Sequence, residues 1–312
     1  PGEHHIYLKE GAIPFIAEAK SNHTPIAIAD KAKDKLREMY SWEVLEFVDD
    51  PTDWVNRVTF ALKTTGEIRP CLDPQHLNPY IRRQHHRTPT TLEVAEKLEG
   101  SNFFTKLDAK NGYWSVVLDE ESSMLTTFNS PLGRMRWLRL PPGLSCSQDI
   151  FQKCMDEILN TCEGCVGIAD DIIVHGRTEK EHDQRLRYLM ERARTKGLVF
   201  NKDKVELKTP FVNFFGARYD AEGMTPDPHK VKAIKTMKSP TDATVLQQFL
   251  GMVTYLSPFI PGLSKHTAPL RALLKKDAEF EWNESYEQAY QTVKDAIVED
   301  ARLRYYKPHL PV

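Results

Sequence analysis

An α+β fold with a mainly helical C-terminal module is the class this sequence predicts, and three observations predict it. Strand-like and helix-like segments are mixed without βαβ regularity, which favours an α+β sheet over a doubly wound one. Several segments place a helix cap ahead of an apolar stripe at helical spacing. Past Pro226 the chain turns mainly helical to about Lys276, which marks a second module. The 312 residues suffice for a large core and more than one domain. With 40% apolar and 28% charged residues, the composition is that of a folded, water-soluble chain.

Taken in order, "DWVNRVTFALKTTGEIRPCLD" predicts a β-hairpin turning at Thr65–Gly66. "TTLEVAEKLEG" has Thr90 and Glu93 spaced as a capping box, and Gly100 closes the helix. "NFFTKLDA" is a strand ending on Asp108, and "WSVVL" continues the strand region. "QDIFQKCMDEIL" sets Phe151, Cys154, Met155, Ile158 and Leu159 on one helical face. "TEKEHDQRLRYLMERARTKG" opens on a second capping box, Thr178 to Glu181, buries Leu186, Leu189, Met190 and Ala193, and stops at Gly197. "FVNFFGARY" reads as strand, and "VLQQFLGMVTYL" as a helix burying Leu246, Phe249, Leu250 and Val253. There is no internal repeat or low-complexity segment.

Five scattered cysteines, Cys71, Cys146, Cys154, Cys162 and Cys165, argue against a disulfide scaffold and fit a reducing compartment. "CEGC" is a lone CxxC, a weak zinc signal. No apolar run approaches the ~18 residues that cross a bilayer, so no membrane partner is expected. The opening "PGEHHIYLKE" lacks the basic start and apolar core of a signal peptide. A start without Met is read as a processed product or an excised segment.

The net charge of −2 does not advertise a nucleic-acid binder, but its distribution does more. Pro74 to Leu92 holds no acid, but has Arg82, Arg83, Arg87 and three histidines. Ser122 to Gln148 is again free of acids, and Arg134, Arg136 and Arg139 in "GRMRWLRL" are expected on one strand face, suited to phosphates.

The sharpest signal is "CVGIADDIIVHG", in which adjacent Asp170 and Asp171 are enclosed by apolar and β-branched runs. Val166, Ile168 and Ala169 read as one strand, Ile172 to Val174 as the next, and Gly176 lets the chain turn away. The simplest drawing is a hairpin with both aspartates at its turn. Asp49 and Asp50 are also adjacent, but Pro51 follows and no second apolar run does, so that pair is solvated loop. Buried like charges raise their own pKa or find a cation. A three-strand sheet could add Asp108, and three converging acids need divalent cations, for which oxygen ligands favour Mg²⁺ or Mn²⁺. Paired cations suit in-line phosphoryl transfer. Tyr113, five residues after Asp108, could floor a pocket there.

"LDAKNGYW", "LRLPPGLSCSQDIFQ", "IADDIIVHG", "GLVFNKDK" and "FFGARYDAEGMTPDPHKV", in this order, resemble a reverse transcriptase, most of all that of gypsy-like LTR retrotransposon Pol polyproteins. The match covers nearly the whole chain. "WNESYEQAYQTVKDAI" and the closing "LPV" resemble the connection that leads into an RNase H domain.

The resemblance implies a right-hand polymerase. An N-terminal approach segment and fingers base would span 1–50, and fingers 51–88 and 119–150. Palm would span 89–118 and 151–220, thumb 221–275, and the start of a connection 276–312. Asp108, Asp170 and Asp171 match the catalytic palm aspartates, and with the Ala109 backbone carbonyl they would bind two Mg²⁺ ions, with Mn²⁺ as an alternative. A primer 3′-hydroxyl would then attack the α-phosphate of a dNTP on an RNA or DNA template. Lys63, Arg69, Tyr113 and Pro142 match dNTP-binding positions, with Tyr113 excluding a ribose 2′-hydroxyl. Lys204 matches a lysine proposed as proton donor to pyrophosphate. Phe215 and Gly216 match the turn that grips the primer end, and Phe249 and Tyr255 belong to the thumb. Arg82, Arg83, Arg87, Arg134 and Arg136 are the expected template–primer contacts. RNase H, integrase and protease domains of the same polyprotein are implied partners. Cytoplasmic virus-like particles, with a nuclear stage at integration, are the implied location.

Ile168 stands where the family usually has an aromatic residue, Pro142 where it often has Gln or Phe, and Gln75 where it often has a basic residue. A proline side chain offers no hydrogen bond. Two rivals remain: a catalytically silent nucleic-acid-binding remnant or subunit, and an RNA-dependent RNA polymerase. Retention of Asp108, Asp170, Asp171 and Tyr113 argues against the first, and Tyr113 against the second.

Overall fold

A computed structural model describes residues 3–18, 24–62, 66–276, 278–297 and 301–305. The chain divides into two compact units. The first comprises Pro1–Thr88, Leu107–Ile172 and Arg187–Val205, and the second Pro89–Lys106, Ile173–Leu186 and Glu206–Val312.

In chain order the elements begin with α1 (Ala29–Ser41), β1 (Leu45–Phe47), β2 (Arg57–Leu62), β3 (Ile68–Asp73), α2 (Thr91–Leu98) and β4 (Phe103–Asp108). Then come α3 (Glu120–Leu125), β5 (Phe128–Ser130), β6 (Gly133–Trp137), α4 (Ser147–Leu159), β7 (Cys165–Ile168), β8 (Asp171–Gly176) and α5 (Glu179–Lys196). The rest are β9 (Glu206–Thr209), β10 (Phe211–Phe214), β11 (Ala217–Asp220), β12 (Gly223–Pro226), α6 (Pro228–Thr236), α7 (Ala243–Tyr255), α8 (Leu263–Ala272), α9 (Glu284–Asp295) and β13 (Leu303–Arg304).

In the first unit, β2 and β3 form the expected antiparallel hairpin, in register from Arg57↔Asp73 to Leu62↔Ile68. Thr65 of its expected turn lies outside the described residues. A second antiparallel sheet runs β1–β6–β5. It buries Phe128, Met135 and Trp137 completely, the largest kind of apolar contribution a core receives. Strand β7, the first residues of β8 (Asp171–Ile172) and the last of β4 (Leu107–Asp108) belong to this unit, and β8 is the neighbour of β4 in their sheet, which matters for the chemistry. Helix α4 packs on β7. Its expected stripe is buried, including Phe151 and Met155.

In the second unit the capping box of α2 is complete: the Thr90 side chain accepts from the Glu93 amide and the Glu93 carboxylate from the Thr90 amide, worth about 1 kcal/mol. "FVNFFGARY" is not one strand but the hairpin β10–β11, because Phe215 and Gly216 both take positive φ, 47° and 81°. This pair continues into a β10–β11–β12–β13 sheet. Helices α6 to α8 bear out the helical module, and α7 buries Leu246, Phe249, Leu250 and Val253 as expected. The Phe249 ring meets that of Tyr290 at 4.3 Å.

Three further expectations are corrected. "WSVVL" starts in a 3-10 turn at Gly112–Ser115, after which Val117 and Leu118 make only isolated bridges, to Arg139 and His4. Met190 is 46% exposed, so the stripe of α5 runs through Leu189 and Ala193 without it. Strand β6 ends at Trp137, so Arg139 cannot share its face; Arg134 and Arg136 do, while Arg139 is also out of phase with a period of two.

Candidate active site

The opening of the site is a hairpin held under constraint. Between β7 and β8 only Ala169 and Asp170 remain, and Ala169 takes φ 52°, a left-handed conformation uncommon outside glycine. Three hydrogen bonds hold this turn. Gln152 of α4, fully buried, accepts from the Ala169 amide at 2.9 Å and donates to the Gly167 carbonyl at 3.1 Å. The Ala109 amide donates to the Asp170 carbonyl at 2.6 Å, which joins the end of β4 to the turn. Thus β4, which ends on Asp108, lies beside β8, which begins on Asp171, and the charges of both act on Asp170 in the turn.

Asp170 is the unusual member. Its Oδ1 is buried and has no hydrogen-bond partner in the structure. Burial, with the charges of Asp108 and Asp171, pushes its carboxyl up to about 6, against partial relief from Arg69 and Lys204. A buried acceptor with no partner normally costs about 1–3 kcal/mol. The space beside it is kept by Gly112, where a Cβ would meet Asp170 Oδ1 and stand 2.5 Å from Phe151 Cζ.

Tyr113 follows on the same 3-10 turn. Its hydroxyl donates to Gln148 Oε1 at 2.8 Å, and its ring lies 5.2 Å from that of Phe151. Burial raises its phenol above the usual range, helped by the Asp170 charge. Lys204 Nζ donates to Asp108 Oδ2 at 2.8 Å. Among the described residues, no group of three or more His, Cys, Asp or Glu side chains is arranged to hold a metal ion. Asp108 is engaged by Lys204 instead.

Of the other expected residues, Arg69 lies on β3 and is exposed, and Lys63 lies outside the described residues. Pro142 is half-buried in the loop before α4. Asn78 ties that loop down, donating to the Gly143 carbonyl at 3.0 Å and accepting from the Ser145 amide at 2.8 Å. Phe215 and Gly216 form the β10–β11 turn of the second unit. The Tyr255 hydroxyl donates to the Phe215 carbonyl, and Lys230 Nζ sits 3.7 Å from the centre of the Tyr255 ring.

The arginines are largely committed within the protein. Arg83 makes a bidentate pair with buried Asp149 at 2.9 and 3.2 Å. Arg134 donates to the carbonyls of Val48, Asp49 and Asp50. Arg136 is held between Glu46 and Glu120. A strand pattern reveals which arginines share a face; it says nothing of the acids that face them. Arg82 and Arg87 are exposed.

Sequence reasoning did not single out Gln148, Gln152 or Gly112. Two signals were available: amide residues on the first turns of an apolar-striped helix, and the Asn111–Gly112 pair shortly after Asp108.

The model of the family "Reverse transcriptase (RNA-dependent DNA polymerase)" matches residues 56–250. The chain belongs to the reverse transcriptase family. It is 31% identical to the Transposon Tf2-3 and Tf2-7 polyproteins of Schizosaccharomyces pombe over 251 residues, 80% of this chain and 19% of each polyprotein. It therefore spans about a fifth of the length of those relatives. Among solved structures, the foamy viral protease-reverse transcriptase with an RNA/DNA hybrid superposes with a TM-score of 0.84 at 19% identity, over 97% of this chain and 41% of that one. The same protein with dsDNA gives 0.82 at 19%, over 98% and 65%. The fold is thus that of a reverse transcriptase polymerase, as the resemblance implied, and kinship with retrotransposon polyproteins is shared by the Tf2 relatives.

Proposed function

We propose that the chain is an RNA- and DNA-directed DNA polymerase that extends a primer by two-metal nucleotidyl transfer from dNTPs. The observation that carries this reading is the buried, partnerless Oδ1 of Asp170 between two other carboxylates. The donor set is all oxygen, which fits Mg²⁺ or Mn²⁺. Asp108, Asp170 and Asp171 would hold the ions, with the Ala109 carbonyl beside them. Divalent cations bound there supply Lewis acidity toward the attacking and leaving oxygens of the phosphoryl transfer.

The chain's own residues do the positioning. Gln152 and the Ala109 amide fix the turn that aims Asp170, so little reorganisation remains at the moment of reaction. Gly112, with no Cβ, leaves room for the Asp170 carboxylate beside Phe151. Tyr113, braced by Gln148 and Phe151, presents a ring face where a 2′-hydroxyl would collide. Arg69 contributes positive charge toward the Asp170 side, suited to a triphosphate. The exposed Phe215 ring and the Gly216 backbone are assigned to the primer end, and 221–275 to a thumb that follows the duplex by its backbone. An RNA/DNA hybrid and double-stranded DNA are the ligands bound by the foamy viral relatives; template–primers of both kinds are the proposed substrates here. RNase H and further polyprotein domains are the proposed partners.

Primer extension on an RNA template with dNTPs and Mg²⁺ tests this, comparing the chain with Asp170→Asn. Extension is expected to fall by about a thousandfold or more with template–primer binding retained. Equal extension by the variant would overturn the assignment. Binding without extension by either chain would favour the silent module.

A further inference from the structure

The three acids are not without a cation. Lys204 Nζ lies 2.8 Å from Asp108 Oδ2, and Asp108 is 16% exposed against 62% for the lysine. The base from which Lys204 reaches is fixed to the same strand end it serves. The Asn201 amide donates to the Asp108 carbonyl and the Lys110 amide to the Val199 carbonyl, both at 2.8 Å. Ala109 and Phe200 form an antiparallel bridge between these two segments. Asn201 then caps the 3-10 turn Lys202–Lys204, accepting from the Asp203 amide. Hydrogen-bonded backbone thus carries a long side chain whose ammonium ends on Asp108.

We propose that Lys204 is a resident counter-ion of the carboxylate site, which divalent cations must displace from Asp108 before the site can close around them. This rests on the metal-site reading above and adds a positioning residue to it. Three observations support it. Asp108 is engaged by Lys204 while the three acids stand outside metal-holding geometry. The pair is solvent-accessible on the lysine side, so exchange needs no unfolding. An ammonium–carboxylate pair exposed on one side is weak, so a divalent ion can outcompete it, yet the monovalent charge still weakens metal entry. The lysine moderates repulsion among the acids without satisfying Asp170 Oδ1, which keeps the site in need of a metal.

Mn²⁺ binding to the intact chain, without nucleic acid or nucleotide and at low salt, tests this through the electron paramagnetic resonance signal of the free ion. Lys204→Met is expected to bind Mn²⁺ on the order of tenfold more tightly than the parent, since one repelling charge is gone. Lys204→Arg, which keeps the charge, is expected to stay near the parent. Asp170→Asn is expected to lose the site. Unchanged or weaker binding by Lys204→Met, with Asp170→Asn still defective, would overturn the counter-ion role and leave the metal site standing. Equal tightening by Lys204→Arg would also overturn it, because charge would not be the competitor. Absence of Mn²⁺ binding by the parent and Lys204→Met alike, or binding untouched by Asp170→Asn, would overturn the metal-site reading and this inference with it.

Discussion

The carboxylate hairpin of the first unit and the histidine pair of the second treat buried polar atoms in opposite ways. In the hairpin, Asp170 Oδ1 is buried with no partner. In the second unit, Ser101 Oγ bonds His175 Nδ1 at 2.7 Å and Thr105 Oγ1 bonds His182 Nε2 at 2.8 Å. His182 Nδ1 meets Asp183 at 3.1 Å, and Lys208 holds Asp183 and Glu179 at 2.8 Å each. Thr105 Oγ1 also accepts from the Lys208 amide. The histidine network is closed and reads as structure; the hairpin is left open, and an open buried acceptor is the sign of something to be bound.

The largest effect should come from filling the open side. Gly112→Ala puts a methyl group against Asp170 Oδ1 and Phe151, and extension should drop about a hundredfold or more. Gly251→Ala, where a Cβ meets nothing within 4 Å, should leave extension at the parental level. Parity between these two variants would break the comparison.

Opening the closed side should cost stability instead. His182→Ala takes one partner each from Thr105 and Asp183 and leaves a void, for a loss of about 2–4 kcal/mol in urea denaturation. A loss within about 0.5 kcal/mol would show the network to be incidental.

Tyr113→Ala removes the ring beside the site without touching a carboxylate. Use of rNTPs relative to dNTPs should rise about tenfold or more, read in single-nucleotide insertion assays; an unchanged ratio would remove its selective role.

The pH dependences should have opposite signs. Asp170 is raised to about 6, so without metal its contribution to stability is full below its ordinary value of 3.8 and is lost as pH rises through about 6. His175 is lowered to about 4 by burial, with Arg185 adding to the effect. Its contribution is present above 6.5 and is lost as pH falls through about 4. Asp170→Asn should therefore flatten the stability change between pH 4 and 6 seen in metal-free denaturation, and His175→Gln the loss on acidification. The same slope in both variants would contradict the contrast.

Much of this was legible because it rests on local rules. The enclosed Asp170–Asp171 pair differs from the exposed Asp49–Asp50 pair in its flanking residues: apolar and β-branched runs on both sides of the one, Pro51 directly after the other. The capping box at Thr90 and the stripe of α7 follow from spacing. What was not legible depends on partners distant in sequence. The commitment of Arg136 to Glu46 and Glu120, and of Arg134 to three carbonyls, needed the β1–β6 pairing. Lys204 meets Asp108 only because the segment at 199–201 pairs with the end of β4. Met190 is apolar yet exposed, which a helical period cannot distinguish from core at the edge of a stripe.

The most direct test of the central claim, that Asp170 Oδ1 lacks a hydrogen-bond partner because the carboxylate takes a metal, is thermal unfolding at pH 7 of the parent and Asp170→Asn, each with and without Mg²⁺. Without metal, the variant should be more stable by roughly 1–2 kcal/mol after allowance for solvent screening. With Mg²⁺, the parent should gain stability and the variant should not. A variant that is less stable without metal, or that gains as much from Mg²⁺ as the parent, would contradict the account.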